Sequence, residues 1–145
     1  MRRAAAAIAL LALACAQAPP PPSTLDTKNE QCAWCRMAVS DGRFAAQIVA
    51  PAEEPRFFDD VGCLRDYLKA ARTRPAMAAA YVADHRTKAW VPAARAVYAR
   101  VPSIETPMGS HLVAHADAAS RDQDPGARGA APTTPADVFG PGGLP

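Results

Sequence analysis

Four cysteines occur in the 145 residues, and a close pair of them stands where it could do chemistry. Cys32-Ala33-Trp34-Cys35 is a Cys-x-x-Cys motif, and Met37 follows two residues later. A tight turn at this spacing brings two sulfurs to the same side, so both can converge on one atom, with the Met37 thioether close by. Thiolate and thioether donors are soft and select Cu(I) over hard cations. Zinc asks for four closed ligands from Cys, His or carboxylate, and a methionine adds nothing to that set. Copper is therefore the first reading. Two others stay open. One is a structural zinc site using Cys32, Cys35, Cys63 and a histidine. The other is a dithiol–disulfide couple, although thioredoxin-like couples place the motif at a helix start after a strand, and here Asp41-Gly42 leads into a strand instead. Attached c-type haem is excluded, because Arg36 follows Cys35 where a histidine is required.

Further candidates lie downstream. Met108 sits in Pro107-Met108-Gly109-Ser110-His111, a shaped loop in which the glycine permits backbone angles other residues avoid; spacing alone reads it as core filler. Met77 reads as packing. His111 and His115 are four apart on a strand-like stretch and should face the same side, either as ligands or, the favoured reading, as a polar surface pair. His85 falls in a hairpin loop and reads as solvated. Cys63 is expected in the first turn of a helix beside Asp59 and Asp60. The helix N-terminus favours its thiolate, the acids oppose it, and a buried free cysteine is a common structural residue, so its role stays open. Asp59-Asp60 reads as a strand end and helix cap. No Ser-His-Asp arrangement, nucleotide-binding glycine loop or catalytic carboxylate pair stands out.

The elements that must position these residues read as α+β. Residues 44–50 form a strand candidate stopped by Pro51, with Arg56-Phe57-Phe58 as its hairpin partner. Asp60 then caps a helix in which Val61, Leu64, Leu68 and Ala71 recur at helical spacing through Arg72. Residues 80–83 and 88–91 form a second hairpin around a four-residue polar loop. Residues 96–101 and 112–114 read as further strands, and a second helical turn is placed at 117–121. No internal repeat is apparent in the sequence.

The ends differ from the middle. Met1-Arg2-Arg3 and the apolar run to Ala14 describe a secretory signal, shorter than the roughly 20 apolar residues a membrane span needs. Leu11-Ala12-Leu13-Ala14-Cys15 resembles a bacterial lipobox, which implies acylation of Cys15 and a lipid anchor in the cell envelope, in the outer membrane where there is one. The division expected is a signal at 1–14, a lipidated Pro-rich tether at 15–29, a folded domain at 30–122 and a mostly disordered tail at 123–145, in which Val138-Phe139 could dock weakly. Pro19 to Pro22 favour polyproline II, a stiff spacer. Without residues 1–14 the 16 basic and 14 acidic residues fall into balance, so the chain carries no electrostatic footprint for nucleic acid.

The order of these features resembles the NosL family. The features are a lipobox, Cys-x-x-Cys-x-Met, Asp-Gly-Arg-Phe-Ala-Ala-Gln entering a strand, Phe-Phe-Asp-Asp-Val-Gly-Cys before a helix, and a late Pro-Met-Gly loop, over roughly residues 30–122. The resemblance implies a small α+β domain of ββαβ-type units with one main amphipathic helix, similar to part of the organomercurial lyase fold. It also implies a non-enzymatic lipoprotein that handles Cu(I), taking it from a copper-donor transporter and passing it to an apo-cuproenzyme, nitrous oxide reductase. Carried over, Cys35 and Met37 are the strongest ligand positions, followed by Cys32 and Met108, then His111. Many relatives have Gly between the second Cys and the Met; here Arg36 stands there.

Overall fold

The computed structural model describes residues 18–73 and 75–145. Cys15 and the signal at 1–14 lie outside the described residues. Among the described residues, seven strands form two antiparallel sheets and three helices accompany them.

β1 (Ala46–Val49) pairs with β2 (Arg56–Phe58), so that Ala46 faces Phe58 and Ile48 faces Arg56. α1 (Val61–Ala70) follows directly. Asp60 caps it as the sequence leads one to expect, its carboxylate accepting from the Gly62 N–H at 2.6 Å. Val61, Leu64 and Leu68 form its buried stripe, the 3.6-residue period of a helix lying on a sheet. β3 (Ala79–Ala83) returns beside β1, and β4 (Trp90–Pro92) pairs with β3 around the polar turn, giving the order β2-β1-β3-β4.

The second half repeats the first in outline. β5 (Val97–Arg100) and β6 (Leu112–His115) form a hairpin, α2 (Ala118–Gln123) follows, and β7 (Pro132–Thr133) returns beside β5 in the order β6-β5-β7. Each half is a ββαβ unit whose third strand pairs with its first. Asp60 and Asp117 occupy equivalent N-cap positions, each two residues after the second strand. The repetition is one of topology, carried by patterning and caps, which explains why the sequence shows no repeat.

One core joins the halves. Phe57, Phe58, Leu64 and Val82 from the first unit pack with Tyr98, Leu112 and Ala114 from the second. A satellite cluster of Phe44, Ala99, Val101, Val113 and Ala127 covers another part of the second sheet.

Both flanks are more ordered than the sequence suggests. In the tether, the Tyr81 hydroxyl donates to the Pro20 carbonyl at 2.7 Å, and Gln47 exchanges two hydrogen bonds with the Ser23 backbone at 2.8 and 3.0 Å. Gln47 and Tyr81 are register partners, so this cross-strand pair lays residues 20–23 over the sheet and satisfies a fully buried amide. A polar side chain buried in a strand demands such a partner. The described part of the tether is thus a strap along the domain rather than a free spacer. The tail, expected to be mostly disordered, carries β7 and α3 (Pro135–Phe139), with Val138 and Phe139 buried in the main core. Apolar burial there outweighs the poor local propensity of a Pro- and Gly-rich segment. Met77, read as packing, is instead 46% exposed at a left-handed turn (φ 58°).

Candidate metal centre

The Cys-x-x-Cys segment is a closed turn leaning on β2. Gln31 and Ala38 form an isolated bridge. The Cys32 N–H donates to the Met37 carbonyl at 2.8 Å, the Arg36 N–H to the Cys32 carbonyl at 3.0 Å, and the Ala33 N–H to the Phe57 carbonyl at 2.8 Å. Arg36 holds φ 69°, the left-handed region that glycine enters without strain. The position therefore has the backbone of a glycine site and carries an arginine, whose side chain is exposed.

This turn sets Cys32 and Cys35 against the β2–α1 junction. Ligand atoms of Cys32, Cys35, Asp59 and Cys63 all lie within 4.8 Å of one another, with Cys35 half-buried and the other three buried. None of the three cysteines is in a disulfide. The Cys35 thiol donates to the Asp59 carboxylate at 3.3 and 3.5 Å. Burial raises the Cys35 thiol to about 11. The Cys63 thiol donates towards Cys32 and lowers it to about 6, while the same contact, then burial and Asp59, push Cys63 upward. Negative charge in the metal-free cluster is thus drawn to Cys32, while Cys35 and Cys63 favour the thiol. Three sulfurs and one carboxylate oxygen gathered within 4.8 Å of one another can hold a metal ion, and ligand thiols lose their protons on binding it.

The methionines lie outside this inner group. Met37 is 53% and Met108 47% exposed, so Met108 is not the core filler that spacing alone suggests. Met108 is brought beside the first turn of α1 by Asp60, whose Oδ2 accepts from the Met108 N–H at 3.1 Å and whose Oδ1 accepts from the Ser110 hydroxyl at 2.5 Å. Gly62 allows this approach, because a Cβ there would stand 2.6 Å from the Ser110 Cβ. Met108, Trp34 and Cys63 thereby line one shallow depression. His111 is not brought into the cluster. It holds φ 57°, and its Nδ1 bonds the Ile104 carbonyl at 2.9 Å.

Asp59 is the member that sequence reasoning missed, and Cys63 the one it left open. A signal existed for both: Cys63 is the third residue of α1, and a side chain there leans back toward the helix N-terminus, over the residues that precede the cap.

Two histidine readings need correction. His85 is buried rather than solvated, and His115 is fully buried rather than part of a surface pair with His111. The left-handed backbone of His111 ends the extended run, so the four-residue spacing does not place both rings on one face. His85, His115 and Asp124 instead form a second group of ligand-type side chains.

The family model described as NosL matches residues 22–123. No curated protein and no solved structure matches the chain.

Proposed function

The chain belongs to the NosL family, and from that membership we propose that it binds copper as Cu(I) at the cysteine cluster and carries it to an apo-cuproenzyme. The observation that carries this reading is the convergence of the Cys32, Cys35 and Cys63 sulfurs beside Asp59. A sulfur-dominated set is chemically matched to Cu(I). Cys35 is the half-buried member, and Met37 is exposed beside it. An ion held by Cys35 and Met37, with Cys32 and Cys63 behind, can accept an incoming ligand before it loses its own. That is associative transfer, with copper as cargo. In this reading Met108, carried on the Asp60-clasped loop and lining the same depression as Cys63, supplies a further thioether.

The donor in this proposal is an envelope transporter and the acceptor is apo-nitrous oxide reductase. Acylation at Cys15 would hold the protein on the periplasmic side of a membrane, raising its effective concentration near partners there.

A second reading has its own support. Three cysteines and Asp59 make a four-donor set, the number a closed structural zinc site needs. Titration separates the two. The chain from residue 16 onward contains every described element and is prepared reduced and anaerobic. Cu(I) and Zn2+ are then titrated against chromophoric competitors, with Cys35→Ser and Met37→Ala alongside. We expect tight Cu(I) binding that both substitutions weaken, Cys35→Ser the more. Copper affinity unchanged in both variants would sink the site assignment, and tight zinc with weak copper would establish a structural site instead.

A further inference from the structure

The His85, His115 and Asp124 group belongs to neither of these readings. The three come from different elements: His85 from the turn after β3, His115 from the end of β6, and Asp124 from the C-cap of α2. They meet at one atom. Asp124 Oδ2 lies 2.5 Å from His85 Nδ1 and 2.9 Å from His115 Nε2. All three residues are buried.

Each group is aimed by its surroundings. The Gly126 N–H donates to Asp124 Oδ1 at 3.0 Å, which occupies one carboxylate oxygen and turns the other toward the rings. The His85 N–H donates to the Ala114 carbonyl at 2.8 Å, and the His85 ring lies against Phe44 with centroids 5.1 Å apart. Asp84, beside His85, accepts from the Ala116 N–H, beside His115, at 2.8 Å. The turn and the strand end are therefore tied together on both sides of the pair.

As a hydrogen-bond network the group is incomplete. Both rings spend their one contact on the same oxygen, and His85 Nε2 and His115 Nδ1 are buried without a partner. Two nitrogens and a carboxylate oxygen around one point are also the ligand types of three-residue zinc sites that keep a further position open.

We propose that His85, His115 and Asp124 form a second metal site, taking a borderline divalent ion of the Zn2+ class through His85 Nδ1, His115 Nε2 and Asp124 Oδ2. This donor set suits imidazole-preferring divalent ions and lacks the sulfur that selects Cu(I). The chain then carries two chemically distinct sites, each at the second-strand-to-helix junction of a ββαβ unit: sulfur-rich beside β2 and α1, nitrogen and oxygen beside β6 and α2. Binding moves the ring hydrogens from Nδ1 of His85 and Nε2 of His115 to the opposite nitrogens, or releases them where a ring starts protonated.

The test uses the reduced chain from residue 16, with the sulfur site first filled by one equivalent of Cu(I). Zn2+ is then titrated while the ring nitrogen resonances of all three histidines are followed. The site predicts saturable shifts of His85 and His115 with one Zn2+ and little change at His111. His85→Gln and Asp124→Asn should each weaken this binding by more than the ~10–100-fold typical of an outer-shell change. Rings of His85 and His115 that stay unperturbed at saturating Zn2+ overturn the proposal in the wild-type protein, whatever the variants do. Zinc affinity undiminished in both folded variants overturns it as well.

Discussion

The Cys63 thiol donates towards Cys32, and that contact draws negative charge to Cys32 before any metal arrives. The Cys63 thiol donating to Cys32 lowers Cys32 to about 6, against the 9.0 of an ordinary thiol. Hydrogen bonding to a charged form favours that form, so removing the donor should undo the shift. In reduced, metal-free protein the thiolate ultraviolet absorbance should rise in a step near pH 6. Cys63→Ala should move that step up by about a unit or more, whereas Cys63→Ser, which still donates from its hydroxyl, should keep it low. An identical step in all three proteins would show that Cys63 does not control Cys32. Sequence made the Cys32, Cys35 and Met37 turn legible because its spacing is local. Cys63 and Asp59 join only when α1 is docked, since one lies 24 residues and the other 28 from Cys35, and no local pattern measures that distance. Arg36 is a further residue-scale finding, for its φ of 69° gives a physical reason why glycine suits that position.

At the scale of elements, aspartates at helix and turn boundaries do most of the fastening. Asp84 accepts from the Arg86 and Thr87 N–H groups on one oxygen and from the Ala116 N–H and the Ser120 hydroxyl on the other. It thus joins the β3–β4 turn to β6 and α2. Burial alone would raise Asp84, but the Ser120 hydroxyl and the Ala116 and Thr87 N–H groups outweigh it and bring it to about 2. Asp124 is likewise lowered to about 2, burial being outweighed by His115, His85 and the Gly126 N–H. A carboxyl with a folded value below its unfolded one contributes stability above the unfolded value, and the contribution is lost as pH falls through the folded value. The window here runs from about pH 4 to about pH 2, worth about 2 kcal/mol for each group at ~1.4 kcal/mol per unit. Asp84→Asn should therefore cost about 2 kcal/mol in urea unfolding at pH 7 and lose less stability than wild type between pH 4 and 2. Parallel pH profiles would refute this role. The strands, α1 and its Asp60 cap were legible from periodicity and cap chemistry. The work of Asp84 was not, because the two partners that tie it to the second unit, Ala116 and Ser120, lie 32 and 36 residues away and only the fold brings them near.

The two ββαβ units share one core as well as the hydrogen bonds between them, and the chain's far end adds Val138 and Phe139 to that core. α3 is a single turn, too short to be stable alone. It has a capping box, with the Asp137 N–H donating to the Thr134 hydroxyl at 3.2 Å and the Thr134 N–H donating to the Asp137 carboxylate at 3.0 Å. Its function in the fold is to deliver Val138 and Phe139 into the core that spans both halves. Phe139 meets Tyr98 edge-on, ring centroids 5.6 Å apart, and the Tyr98 hydroxyl is held by the Ala93 carbonyl at 2.8 Å. Composition hid this, because one helical turn has no period to read and the surrounding Pro, Gly and Ala resemble a tail with nothing to bury. The two readings of residues 134–145 predict opposite outcomes. A disordered tail could be removed with no change in stability. A core-completing tail could not, since emptying a buried phenylalanine site costs about 3–5 kcal/mol, a large share of the ~5–15 kcal/mol that holds a domain together. We expect Phe139→Ala to lower the urea midpoint by that measure, and deletion from Thr134 onward to do so at least as strongly. Near-ultraviolet dichroism from Tyr98 should weaken in both as its packing partner is lost. Wild-type stability in the deletion would place α3 outside the cooperative fold. The expected loss would instead make the last dozen residues part of the structure that links β5 to α1, and α1 is the helix that carries Cys63 to the Cys32–Cys35 turn.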